Sequence, residues 1–211
     1  GAPVRSVVGP VTALDARDTP QVVEALVAAD LAATSVGARA LPAVADSLAA
    51  ALKLRIEEGR PPLNVLLAEN LHHCAQVVRA LVADRLPDLP AHLIDANLGL
   101  LETSIGRMIP TPEPSPEEPT LVAAEPYRLL PYDAAAAIGG PLEVPDLFAD
   151  LSTPFSFYGD RKLYVHNLGH CVTACLGALA GLPMVWQAIE RPEIRYVVRA
   201  AMIESVVALT D

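Results

Sequence analysis

Aromatic residues are scarce in this 211-residue chain: three Phe, one Trp and five Tyr, about 4% of the whole. The apolar fraction is nevertheless 52%, so any core must be built from Ala, Val and Leu. That composition suits helices packed on a sheet better than an all-β sandwich. Basic residues are also few. Fifteen Lys and Arg face twenty-five Asp and Glu, a net charge of −10. No basic stripe is present, which argues against a nucleic-acid partner. Cysteine is limited to Cys74, Cys171 and Cys175. An odd, low number does not make a disulfide framework and fits a reducing cytoplasm. No apolar run reaches the roughly 18 uncharged residues of a membrane span, so no membrane partner is expected. The first residues show no signal-peptide pattern. Finally, none of the twelve glycines falls in a Gly-x-Gly-x-x-Gly pattern.

What is present reads as alternating strands and helices. Residues 4–14 look like one or two strands around Gly9-Pro10. Thr19 suits an N-cap and Pro20 the first helical position, opening a helix to about residue 29. Residues 30–36 form a short buried strand. A helix over 40–58 is closed by Gly59, and Pro61-Pro62 prevents its continuation. Residues 63–67 (LNVLL) have the look of a buried parallel strand. A helix over 71–85 follows, then a strand and loop over 94–110. This order predicts an α/β fold, a partial Rossmann-like doubly wound parallel sheet. Residues 111–119 (TPEPSPEEP) read as an exposed loop, and 120–150 as short extended pieces. From Pro154 onward the chain turns mostly helical, over 157–181 and 184–210, with a break at Gly181-Leu182-Pro183. The expected domains are therefore 1–110, a connecting region 111–153, and a helical domain 154–211.

The densest chemistry lies in RKLYVHNLGH, residues 161–170. Lys162, Asn167 and His170 stand at i, i+5 and i+8. On a regular α-helix Asn167 and His170 fall about 140° and about 80° from the lysine direction. Asn167 and His170 share a face, and Lys162 reaches them only along its stem. A solvated lysine and two satisfied core residues would give the same letters, so the residues alone leave both readings open. Asn70 sits just past a predicted parallel strand, where open α/β sheets gather ligands, but Asn is also a favoured helix cap. Gly37, past the preceding strand, could admit a cofactor or simply form a tight turn. His166 and His170 are at zinc-site spacing, with Cys171 and Cys175 nearby. Four ligands so close on one helix cannot converge on one ion, and no metal is expected.

These residues resemble the Lys-x4-Asn-x2-His signature of the long-chain polyol dehydrogenases. The following CVTACLGALAG resembles the mannitol-1-phosphate 5-dehydrogenase branch of that family. DLAATSVG (30–37), NVLLAENL (64–71), GRMIP (106–110) and EIRYVVRAAMIES (193–205) resemble further family segments in the same order. The resemblance implies NAD as cofactor and a small sugar alcohol or sugar phosphate as substrate, with mannitol 1-phosphate converted to fructose 6-phosphate. An unphosphorylated polyol or a hexuronate is the alternative substrate, and a non-catalytic remnant the alternative role. It implies Lys162 as general base, with Asn167 and Asn70 as donors to the reacting oxygen. His170 and Arg107 would bind substrate, and Ser35, Val36, Gly37 and Asn70 would line the cofactor. The family places Asp where Gly106 stands here, which leaves Arg107 open to a structural ion pair instead. The absent glycine fingerprint implies that the first βαβ unit is missing, and such a fragment is expected to bind NAD weakly.

Overall fold

The computed structural model describes residues 4–107, 109 and 116–210. The part of the proline-rich stretch over 110–115, and Met108, lie outside the described residues.

Three strands form a parallel sheet in the order β1 (Leu31–Thr34), β2 (Leu63–Leu67), β3 (Leu98–Glu102). Leu31 pairs with Asn64 and Leu63 with Leu98. Between them run α1 (Thr19–Ala28), α2 (Leu41–Glu57), α3 (Cys74–Arg85) and α4 (Ala91–Asn97). Every residue of β2 is buried, as expected of a central strand covered on both faces. Its side chains alternate. Leu63, Val65 and Leu67 join Leu41, Leu48, Leu52, Val78 and Val82 of α2 and α3. Leu66 joins Leu101, Tyr132 and Ala134 on the opposite face.

That second face is covered by the region expected as connecting chain. β4 (Leu130–Tyr132) and β5 (Leu147–Ala149) form a small parallel pair, and Thr103 bridges to Tyr132. Asn64 stitches the two layers together. Its amide donates to the Ile138 carbonyl and accepts from the Ile138 N–H, both at 3.0 Å. Room for that carboxamide comes from Gly99, where a Cβ would stand 2.1 Å from Asn64 Oδ1.

Several expectations are corrected. Residues 4–14 form no strand. Val4, Val7, Val8 and Val11 are at least 77% exposed, and the run does not pair with β1, the outer strand of the three. The valines supply propensity but no hydrogen-bonding partner, and an unpartnered strand has little to hold it. The cap of α1 is Asp18 rather than Thr19. Its carboxylate accepts from the Gln21 N–H, and a charged acceptor is favoured there by the helix dipole. Helix α3 starts at Cys74 rather than near residue 71, after His73 in a left-handed conformation at φ 54°. The strand expected from residue 94 is β3, which starts at Leu98, and residues 94–97 instead finish helix α4. It is too short to display a helical period.

The C-terminal part comprises α5 (Phe155–Asp160), a π-helical turn over Arg161–His166, α6 (Asn167–Leu179), α7 (Val185–Glu190) and α8 (Pro192–Thr210). The helix expected over 184–210 is split because Pro192 drives Arg191 to an extended ψ of 121° and then opens α8. Helix α6 packs through a small-residue stripe. A Cβ on Gly169 would come 2.8 Å from Met202 Sδ of α8, and one on Gly177 2.7 Å from Ala188 Cβ of α7.

Candidate active site

The carboxyl ends of β2 and β3 open into a cleft of about 120 Å³. Asn70, after β2, and Ser104, after β3, form one wall. Lys162 and Asn167 form the other. Ligand clefts in parallel α/β sheets sit at this end of the strands.

The hydrogen bonds that shape the cleft join segments far apart in sequence. Glu69, 7% exposed, accepts from the Val36 N–H at 2.9 Å and the Gly37 N–H at 2.8 Å. One carboxylate thus clamps the turn after β1 onto the end of β2. Gly37 meets this demand with φ 80°, a conformation costly for other residues. Glu102 accepts from the Ala75 N–H at 3.0 Å, so β3 supplies an anionic cap to the start of α3. Thr103 Oγ1 donates to the Leu67 carbonyl at 3.0 Å, and Ser104 Oγ to the Tyr158 carbonyl at 3.3 Å. The Ser104 bond fixes α5, and with it the π-turn, against the sheet.

The π-turn alters the geometry expected of a regular helix. The Asn167 N–H bonds to the Lys162 carbonyl, an i→i+5 link. Residues five apart therefore lie roughly one turn apart on the same side, not about 140° apart. Lys162 and Asn167 meet in the cleft because one residue is accommodated in a widened turn. Lys162 is half-buried there, and that burial lowers the ammonium pKa below its usual value.

The remaining candidates lie as follows. Asn70 caps no helix, since α3 starts at Cys74. His170 is exposed, outside the cleft lining, with its ring 4.5 Å from that of His166 in a T-shaped contact. Ser35, Val36 and Gly37 form the exposed turn after β1, and the last two have their N–H groups on Glu69. Arg107 is exposed outside the lining, its Nε donating to the Glu125 carbonyl at 2.8 Å. A side chain on Gly106 would begin 3.3 Å from the Tyr127 ring. Cys74 lines the cleft but is buried. Desolvation, with Glu69 and Glu102 nearby, pushes its thiol pKa up to about 11. Among the described residues no three His, Cys, Asp or Glu side chains cluster as a metal site, and no helix is long and apolar enough to cross a membrane. Sequence reasoning assigned no role to Glu69 or Glu102. The only signal was an acidic residue at each strand end; their partners are backbone groups about 30 residues away.

A parallel sheet with its polar cleft at the strand ends, closed by a helical unit carrying lysine and asparagine, defines a Rossmann-like protein with a helical C-terminal domain. The chain belongs to the mannitol dehydrogenase family. The model of the mannitol dehydrogenase Rossmann domain matches residues 3–144, and that of the mannitol dehydrogenase C-terminal domain matches 155–211. It is 33% identical over 201 residues to a mannitol-1-phosphate 5-dehydrogenase of Bacillus velezensis, covering 94% of this chain and 52% of that protein. Two solved structures share the fold. A D-sorbitol dehydrogenase in substrate-free form has a TM-score of 0.68 at 19% identity, over 86% of this chain and 46% of its own. The mannitol 2-dehydrogenase of Pseudomonas fluorescens, in ternary complex with NAD and D-mannitol, has 0.64 at 20%, over 89% and 46%. The chain spans about half the length of the relatives it matches.

Proposed function

We propose that the intact protein containing this chain oxidises a secondary hydroxyl of a sugar alcohol with NAD, reversibly converting mannitol 1-phosphate to fructose 6-phosphate. The observation that carries this reading is the meeting of Lys162, Asn167 and Asn70 in one cleft at the carboxyl ends of β2 and β3. The 33% identity to a mannitol-1-phosphate 5-dehydrogenase supports the phosphorylated substrate.

The cleft suits the nicotinamide end of NAD. It offers two carboxamides and an amine at the ends of β2 and β3, and Thr34, the last residue of the neighbouring β1, buries a hydroxyl with no hydrogen-bond partner. Ser35, Val36 and Gly37 would flank the cofactor there. The glycine-rich cradle for a pyrophosphate is not among these 211 residues, so this chain supplies only the nicotinamide side. NAD, when bound, accepts the hydride from the carbinol carbon.

The protein's own groups handle the oxygen and its proton. Lys162 Nζ, in its neutral form, takes the hydroxyl proton, and burial favours that form. The amides of Asn167 and Asn70 donate to the oxygen as negative charge develops on it. Asn167 is fixed by the start of α6, so its donor needs little reorganisation, while Asn70 approaches from the bend that follows β2. His170, one turn beyond Asn167 and outside the cleft lining, would turn toward a neighbouring hydroxyl of the bound substrate. Arg107, on its loop outside the cleft lining, would steer an anionic substrate toward the site.

The test is Lys162→Ala in the intact protein, with mannitol 1-phosphate and NAD, following NADH absorbance. Turnover should fall by roughly two to four orders of magnitude, the range for losing a general base. Turnover within a few-fold of wild type removes the assignment. A wild-type protein that oxidises no polyol removes the function.

A further inference from the structure

A second cavity, of about 250 Å³, abuts the reaction cleft and shares Lys162 and Ser104 with it. The π-turn contributes Arg161, Lys162, Val165 and His166 to its lining. Tyr127 and Met202 line it too. The same widened turn thus presents cationic side chains to two adjoining spaces. This concentration stands out in a chain of net charge −10.

From this arrangement we infer that the second cavity binds the phosphate of the sugar-alcohol substrate, with Arg161 and His166 as its ligands. The inference rests on the proposed function and adds to it a place for the anionic end. The reacting hydroxyl and the phosphate lie toward opposite ends of the sugar-alcohol chain. A phosphate site must therefore sit beside the cleft and be continuous with it, as this cavity is. Arg161 is pre-oriented, its guanidinium 5.4 Å from the Tyr158 ring centroid and 5.9 Å from that of Phe157. Stacked guanidinium groups keep their edge donors for bidentate contact with phosphate. The His166 pKa is lowered, chiefly by desolvation and then by its neighbours His170 and Lys162. An anion beside it acts in the opposite direction and favours the imidazolium, which has a second N–H donor. Glu125 opposes the field of those neighbours at His166, and Arg161 adds to it. The titratable groups facing the imidazole are thus three basic side chains, His170, Lys162 and Arg161, and the carboxylate of Glu125.

The experiment uses the intact protein carrying Arg161→Gln, His166→Gln or both, with Arg161→Lys as a charge-retaining control. Steady-state kinetics are compared for mannitol 1-phosphate and unphosphorylated mannitol, and inorganic phosphate serves as inhibitor. The expected result is a rise in KM for mannitol 1-phosphate of tenfold or more in the double variant, with kcat within a few-fold. Kinetics with mannitol stay unchanged, competitive inhibition by inorganic phosphate disappears, and Arg161→Lys recovers part of the loss. An equal change for both substrates, or no change for either, overturns the inference while the proposed function stands. If the wild type oxidises no polyol, the proposed function fails by itself. Calorimetric titration with inorganic phosphate then decides the cavity: binding lost in Arg161→Gln supports it, and absent or unaltered binding overturns it.

Discussion

Asn64 and Gly99 are predicted to be energetically coupled, because one residue's side chain occupies the space that the other lacks. Asn64, 7% exposed, spends its carboxamide on both backbone groups of Ile138. Asn64→Ala removes two hydrogen bonds and leaves a part-buried N–H and carbonyl to find water, at a cost of about 2–3 kcal/mol. Gly99→Ala places a Cβ 2.1 Å from Asn64 Oδ1, a separation no contact tolerates, so the carboxamide must leave. The same bonds are lost and a polar group is displaced, for about 3–4 kcal/mol. In the double variant the Asn64 obstacle is gone. The next neighbour of the new Cβ is the Ala136 carbonyl at 3.4 Å, an ordinary contact. The double variant should therefore cost little more than Asn64→Ala alone, a coupling of about 3 kcal/mol, close to the whole cost of Gly99→Ala. Thermal melts of the four proteins resolve this, since each kcal/mol moves Tm by about 2–4 °C at this size. Costs that add to within about 0.5 kcal/mol would refute the reasoning. The function is exposed to the same perturbation, because the layer held by Asn64 backs β3, whose end carries Glu102, Thr103 and Ser104 into the cleft.

Two further predictions concern other buried groups. Arg55, 4% exposed, donates from Nη1 to the carbonyls of Leu26, Val27 and Ala29, which end α1, and from Nη2 to that of Pro61. Arg55→Leu should destabilise the chain by about 3 kcal/mol or more, and Arg55→Lys should recover little because one ammonium cannot span all four acceptors, as denaturant midpoints will show. Iodoacetamide at mildly alkaline pH should label Cys171 and Cys175, which are exposed, and spare Cys74, whose thiol is buried with its pKa near 11; mass spectrometry showing rapid labelling of Cys74 would contradict that burial.

The parts legible in the sequence were those with strong local causes. Strand β2 declared itself through six residues without a charge between Pro62 and Glu69, and α2 through its length and the Gly59 stop. What stayed hidden depended on partners elsewhere in the chain. The valines of 4–14 carry strand propensity, yet nothing in those residues reveals that no strand lies beside them. Tyr132 and Ala134 sit in a segment rich in turn signals and are buried only because Leu66 and Leu101 need covering. At the site, residue type, spacing and place after a strand left Lys162, Asn167 and Asn70 open, and the resemblance to the polyol dehydrogenases singled them out. Glu69 and Glu102 could not, because each acts on backbone N–H groups of a different segment.

The π-turn carries a pH dependence whose sign follows from where it puts Lys162. Had residues 161–167 continued as a regular α-helix, lysine and asparagine would have diverged by about 140° and the amine could have stayed in water. The extra residue in the turn directs it into the cleft, where desolvation disfavours the ammonium and the pKa falls below its usual value. Between that lowered value and the ordinary one near 10.5, the unfolded chain binds more protons than the folded one. Stability contributed by this group therefore rises with pH across that window, opposite to the behaviour of a lysine held by a carboxylate. Lys162→Met should flatten that rise in denaturation measured across alkaline pH. In the intact protein, oxidation of the polyol should climb as the amine loses its proton and level off below the pH at which an exposed lysine titrates. Reduction should run the opposite way, since it draws on the ammonium form. A rate still rising through pH 10.5, or a stability slope unchanged by Lys162→Met, would mean that the amine faces bulk solvent and that the cleft is not built around it.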